Sequence, residues 1–173
     1  MDIKTITLPK TRTLIFEYSL FLLAFGIPLF ISGPQLLTGT LINTLLFLFA
    51  LHAYSKNRLL IVILPSIGAV FNGLLFGTFT VFLLYFLPFI WISNYILIES
   101  FTRLIKKNSF GISVIVSSLM KVIFLFSVAY TFTTIKIVPP IFLQFMGLFQ
   151  FYTAVLGGVG ALLINTIIVK KND

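Results

Sequence analysis

Cysteine is absent from the 173-residue chain, and acidic residues are nearly so, with four Asp and Glu in total. Without cysteine there is no disulfide, no thiolate metal ligand and no thiol nucleophile. The four acids stand singly along the chain, so they offer no paired carboxylates for acid–base chemistry or for a metal ion. The one histidine, His52, forms no recognisable triad pattern, and no Walker-type glycine loop occurs. These absences predict a protein that is not an enzyme, has no catalytic residues, does not hydrolyse ATP itself and binds no metal or cofactor.

Charged residues of both signs are scarce, at 9% of the chain, whereas 59% of the residues are hydrophobic and the mean hydropathy is +1.14. A soluble domain could not cover its surface with so few charges. The sequence therefore predicts an all-α integral membrane protein, with a single transmembrane domain over residues 1–173. The net charge of +8 does not indicate nucleic acid as a partner, because the basic residues lie in short clusters between apolar runs.

Proline, glycine and charged residues divide the chain into six apolar runs, each near the roughly 20 residues that a spanning helix needs. The predicted spans are 14–32, 36–54, 59–76, 79–102, 112–135 and 141–168. The first is interpreted as a retained span rather than a signal peptide, because it contains Glu17 and Pro28 and no cleavage signal follows it. A single helix over 59–100 would be about 63 Å long, twice the thickness of the hydrocarbon core, so a turn is predicted at "FGTFT".

The basic residues predict the orientation, since cytoplasmic loops carry an excess of Lys and Arg. With the N-terminus in the cytoplasm, ten of the twelve basic residues lie on the cytoplasmic side. They are Lys4, Lys10, Arg12, Lys56, Arg58, Arg103, Lys106, Lys107, Lys170 and Lys171. Lys136 then falls outside and Lys121 within a span. We therefore expect a multi-pass protein of the cell membrane, embedded in the lipid bilayer with both termini cytoplasmic.

Seven hydrogen-bonding side chains in these spans are the predicted substrate-binding residues, because a polar group in hydrocarbon must find a partner. They are Gln35, Thr38, Asn43, Asn72, Asn94, Lys121 and Gln150. The predicted orientation places those of the second, third and sixth spans in the outer half of the membrane, which favours a pocket open to the outside. The alternative is that they hold helices together, as intramembrane Asn and Gln often do.

Lys121 lies about nine residues into the fifth span, where its ammonium needs a carboxylate, a cluster of carbonyl oxygens or an anionic ligand. The alternatives to a ligand contact are a bond to Glu17 or Glu99, or a reach toward the inner headgroups. In the fourth span a proline kink is expected to place Trp91 and Asn94 on one face. A planar ligand could stack there, or Trp91 could belong to an interfacial aromatic belt.

The Gly-Pro turn followed by "LLTGTLINTLLFLFA", and later "LPSIGAVFNGLLFG", resembles the substrate-binding S components of energy-coupling factor transporters. The shared motif is Thr-Gly-x-x-x-Asn, here Thr38, Gly39 and Asn43. The resemblance implies a six-helix binder of a vitamin-like molecule, whose site opens outward and whose transport is energised by a transmembrane T component and cytosolic ATPases. S components commonly present Ala-x-x-x-Ala in the first span, whereas this chain has Ala24 and Pro28 at that spacing. The metal-binding N-terminal segment of the nickel and cobalt members is missing, which favours an organic ligand.

Three functions are therefore compatible with the sequence. The leading hypothesis is the substrate-binding subunit of a vitamin-like uptake transporter. The second is a non-catalytic assembly or interaction subunit that docks another membrane protein through stripes of small residues. These stripes are Ala69, Gly73 and Gly77 in the third span, and Gly157 and Ala161 in the sixth. The third, a membrane enzyme, lacks paired acids and a nucleophile.

Overall fold

The structure is a computed structural model that describes residues 10–31, 33–52, 57–76 and 80–170. These residues form helices and contain no strand. The helices are α1 (Lys10–Phe30), α2 (Gln35–His52), α3 (Arg58–Phe76), α4 (Thr80–Leu104), α5 (Phe110–Thr134), α6 (Ile141–Met146) and α7 (Leu148–Lys170). The predicted all-α fold class is thus confirmed for the described residues.

The first five predicted spans correspond to α1 to α5, with ends that differ by a few residues. The sixth predicted span, 141–168, corresponds to the apolar stretch Ile141–Val169, but the helix there is interrupted at Gly147, between α6 and α7. Gly147 has a non-helical backbone, and a side chain there would lie 2.6 Å from the carbonyl oxygen of Leu143. The predicted turn between α3 and α4 falls on residues 77–79, which lie outside the described residues.

Among the described residues, four stretches are long and apolar enough to cross a membrane: Gln35–His52, Val81–Leu104, Phe110–Thr134 and Ile141–Val169. The apolar parts of α1 and α3, Leu14–Phe30 and Arg58–Gly73, are shorter. Large apolar side chains cover the outer faces of the helices; Ile123 is 64% exposed and Ile167 is 67% exposed. Such a surface is compatible with a lipid bilayer and is unusual for a protein in water.

Helix α2 lies in the interior of the bundle, where it contacts α1, α3, α4 and α7. Every residue from Asn43 to Phe49 is buried. A helix that is apolar on all sides is expected to be surrounded by others, and the run "TLLFLFA" has this property. The most extensive contact of α2 is with α7.

Small residues bring α2 and α7 close together. A Cβ added to Gly157 would lie 2.6 Å from the Cβ of Asn43, and one added to Gly39 would lie 2.9 Å from the Thr153 side chain. Real Cβ atoms do not come so close, so only glycine permits this crossing. The Gly157 position therefore serves packing within the bundle.

Two apolar clusters fill the interior, and polar side chains lie between them along α4 and α5. Phe86 on α4 and Leu125 on α5 belong to one cluster. Leu97 on α4 and Val114 on α5 belong to the other. The α4 and α5 segments between these positions carry the polar residues described next.

Candidate functional site

Lys121 is buried near the middle of α5 and donates two hydrogen bonds to amide side chains of other helices. Its Nζ lies 2.7 Å from Oδ1 of Asn43 on α2 and 2.9 Å from Oδ1 of Asn94 on α4. The three residues are 3%, 2% and 3% exposed, respectively. Three of the seven predicted binding residues, on three separate helices, therefore meet at one point.

The amide nitrogens of the two asparagines donate hydrogen bonds to other acceptors. These bonds orient the amide oxygens toward Lys121. Asn43 Nδ2 donates to the Gly39 carbonyl at 2.9 Å and to Oγ1 of Thr153 at 3.2 Å. Asn94 Nδ2 donates to the Val62 carbonyl at 3.3 Å. We call Lys121, Asn43, Asn94 and Thr153 the Lys121 cluster; it joins α2, α4, α5 and α7.

The Thr-Gly-x-x-x-Asn motif places two of its residues in this arrangement. Residues four apart lie on the same face of a helix, so Gly39 and Asn43 both face α7. Gly39 leaves room for Thr153, and its carbonyl accepts one amide bond of Asn43. Thr38, the third motif residue, donates instead to the Ile31 carbonyl at 3.3 Å, which ties the start of α2 to the end of α1.

The two hydrogen bonds of the Lys121 ammonium go to amide oxygens rather than to carboxylates. Glu99 pairs with Arg58 and with Arg103, at the end of the bundle where α3 begins and α4 ends. Glu17 lies on α1, which does not pack against α5 within the described residues. The expected alternative of a bond between Lys121 and Glu99 is therefore wrong. Lys121 is held by a set of amide oxygens, one of the three partners that the sequence predicts for it.

Gln35 and Asn72, two further predicted binding residues, bond to backbone carbonyls at helix ends. Asn72 Nδ2 lies 3.0 Å from the carbonyl oxygens of both Pro28 and Leu29, and thereby caps the end of α1. Gln35 Nε2 donates to the Phe145 carbonyl at 3.1 Å, in the last turn of α6. Neither side chain bonds to the Lys121 cluster.

Gln150, the seventh predicted residue, is half-buried one turn before Thr153 on α7. Its carbonyl accepts a bond of 3.1 Å from Oγ1 of Thr153. Trp91 lies on α4 near Asn94, and its Nε1 donates to Oγ of Ser66 on α3 at 2.5 Å. The indole N–H of Trp91 thus has its partner on a neighbouring helix of the bundle.

Thr153 and Ser118 are two interior polar residues beside Lys121 and its partners that sequence reasoning missed. Thr153 is 1% exposed. Its position three residues after Gln150, on the same face of the helix, is the sequence signal that could have identified it. Ser118 is 0% exposed and lies one turn before Lys121 on α5. Its hydroxyl has no hydrogen-bond partner among the described residues. In contrast, the neighbouring Ser117 donates to carbonyls of its own helix.

Two apolar grooves open at the surface, and neither is lined by a member of the Lys121 cluster. One of about 350 Å³ lies along α4 beside Met120 and ends near Glu99 and Arg103. The other, of about 400 Å³, lies between α5 and α7 around Val114 and Gly158. Among the described residues there is no group of three or more acidic or histidine side chains that could hold a metal ion.

Models of protein families, curated proteins and solved structures were all compared with this chain, and none matches.

Proposed function

We propose that this chain is the membrane-embedded substrate-binding subunit of a small-molecule uptake transporter, with the Lys121 cluster as the centre of its binding site. The observation that carries the proposal is the meeting of Lys121, Asn43 and Asn94 in the interior. Intramembrane ionisable residues are costly and are usually associated with the path or site of a substrate. Burying the Lys121 ammonium is costly here, because apolar clusters lie on both sides of the site.

The sequence resemblance supports the same function. The S-component-like motif provides Gly39 and Asn43, and both residues build the cluster. By this resemblance the ligand is vitamin-like, and a separate T component with cytosolic ATPases supplies the energy. The first turns of α2 and α7 lie close to α6, and they carry Gln35, Thr38 and Gln150. These side chains would line the route by which a ligand reaches the cluster.

The proposed topology has six spans in the cell membrane with both termini cytoplasmic. Arg58, at the start of α3, and Arg103, in the last turn of α4, bond to the same carboxylate of Glu99. Basic residues of two sequence clusters are therefore at one end of the bundle. The positive-inside rule assigns that end to the cytoplasm.

A second candidate is a non-catalytic assembly or interaction subunit. The observation that favours it is the internal bonding of the cluster, because the amide groups of both asparagines already have partners in the protein. In that case the cluster would only fix the positions of four helices, and partners would dock on the outer surface.

The test is retention of a small molecule by the protein purified in mild detergent. Compounds released by heating are identified by mass spectrometry, and thermal stability is measured across a panel of water-soluble vitamins. We expect a stoichiometric compound that is lost in Lys121→Met and kept in Lys107→Met, which removes an exposed lysine of the α4–α5 loop. If the protein retains no compound and no vitamin stabilises it, the proposal is contradicted and the second candidate is favoured.

A further inference from the structure

The third proton of the Lys121 ammonium has no acceptor among the described residues. An ammonium carries three N–H groups, and two of them donate to Asn43 and Asn94. Both acceptors are neutral amides, so they contribute dipoles and no negative charge. The cluster therefore holds one positive charge when Lys121 is protonated, without a carboxylate among its members.

Ser118 supplies a second unused group close to the same point. It lies three residues before Lys121 on the buried face of α5, and side chains at this spacing are neighbours about 5–6 Å apart at Cβ. Long helical side chains lean toward the N-terminus of their helix, which directs the Lys121 stem toward Ser118. A buried hydroxyl without a partner is destabilising, and an acceptor atom of a ligand would satisfy it.

We infer that Lys121 and Ser118 form a subsite for the carboxylate of a monoanionic ligand. One carboxylate oxygen accepts from the Lys121 ammonium and the Ser118 hydroxyl donates to the anion, so each unused donor gains an acceptor. A single negative charge matches the single ammonium, whereas a phosphate dianion would leave an uncompensated charge in the interior. This inference rests on the proposed function, and it adds the chemical class of the substrate.

The carboxylate must enter between the helices, because the cluster residues are at most 3% exposed. Asn94 is the member whose amide is held most loosely, by one bond of 3.3 Å. The side chain of Asn94 is therefore the one that would move most readily to let a carboxylate reach the free N–H group of Lys121.

The experiment compares acids with their neutral analogues. Thermal shifts of the purified protein are measured with nicotinate and nicotinamide, pantothenate and pantothenol, and biotin and biotinamide. Pyridoxal and pyridoxal phosphate serve as the dianion arm. We expect at least one acid to stabilise the protein and its neutral analogue to have no effect, and the compound released from the protein to carry a carboxylate.

Ser118→Ala and Ser117→Ala are the matched variants. Ser118→Ala removes a hydroxyl that bonds to no described residue, so the fold should be kept while binding of the acid weakens about tenfold. Ser117→Ala removes an equally buried hydroxyl that is satisfied by its own helix, and binding should be unchanged.

The outcomes distinguish failure of the carboxylate inference from failure of the proposed function. If a neutral compound is retained, or if amide and acid stabilise equally, the carboxylate inference is wrong and the proposed function stands. Stabilisation by pyridoxal phosphate alone, or equal binding by both serine variants, would likewise overturn the subsite. If no compound is retained and none stabilises, the proposed function itself fails.

Discussion

The close crossing of α2 and α7 positions Asn43 and Thr153. Adding one methyl group at Gly157 tests whether the two helices are as close as described. In Gly157→Ala the new Cβ would lie 2.6 Å from Asn43 Cβ and 2.8 Å from the backbone nitrogen of Thr44. Carbon atoms in contact are normally about 3.5–4.0 Å apart. Because one obstacle is backbone, a rotamer change cannot relieve the clash and the helices must separate.

We expect Gly157→Ala to lower the free energy of unfolding by about 1–3 kcal/mol, the usual cost of overpacking a well-packed interior. Gly111→Ala is the matched control, since a Cβ at Gly111 meets no atom within 4 Å. That variant should be neutral or more stable by about 0.5–1 kcal/mol, because alanine favours the helix over glycine.

Unfolding in mixed micelles with increasing SDS can be followed by the fluorescence of Trp91, the only tryptophan. Its indole donates to Ser66 on another helix, so separation of the helices should change its emission. If Gly157→Ala and Gly111→Ala unfold at the same SDS fraction, the α2–α7 contact does not have the geometry described.

Three further predictions concern the cap, the cluster and the topology. Asn72→Ala leaves two α1 carbonyls without their donor and should destabilise the protein by about 1–2 kcal/mol in the same assay, with retention of the small molecule unchanged; loss of the compound would place Asn72 in the binding site. Asn94→Asp adds a carboxylate beside Lys121, which should compete with an anionic ligand and abolish its retention while the protein stays folded; tighter binding of the acid would contradict the charge argument. Since the chain has no cysteine, Lys107→Cys and Lys136→Cys can be labelled singly in intact cells, and an impermeant maleimide should modify only the Lys136 site; labelling of the Lys107 site would invert the topology.

The lengths of apolar runs were sufficient to predict most of the helices. The fifth span, for example, was predicted at 112–135 and is observed as Phe110–Thr134. The interruption at Gly147 was missed because one glycine in a long apolar run is common in membrane helices and gives no separate signal.

The candidate site was predicted only in part. Lys121, Asn43 and Asn94 were recognisable because polar groups in apolar helices always need partners. The identity of those partners depends on the relative rotation and depth of the helices, which periodicity within one helix does not encode. Asn72 therefore could not be distinguished as a helix cap, and Thr153 and Ser118 resembled the many Ser and Thr residues that bond to their own helix.

Binding of a substrate at the Lys121 cluster would be visible in a density map of the protein, purified with its retained compound in a lipid nanodisc. The account predicts non-protein density within about 3 Å of Lys121 Nζ and of Ser118 Oγ, with the amide of Asn94 displaced. Density for a ligand elsewhere, with both amide oxygens still bonded to Lys121, would contradict it.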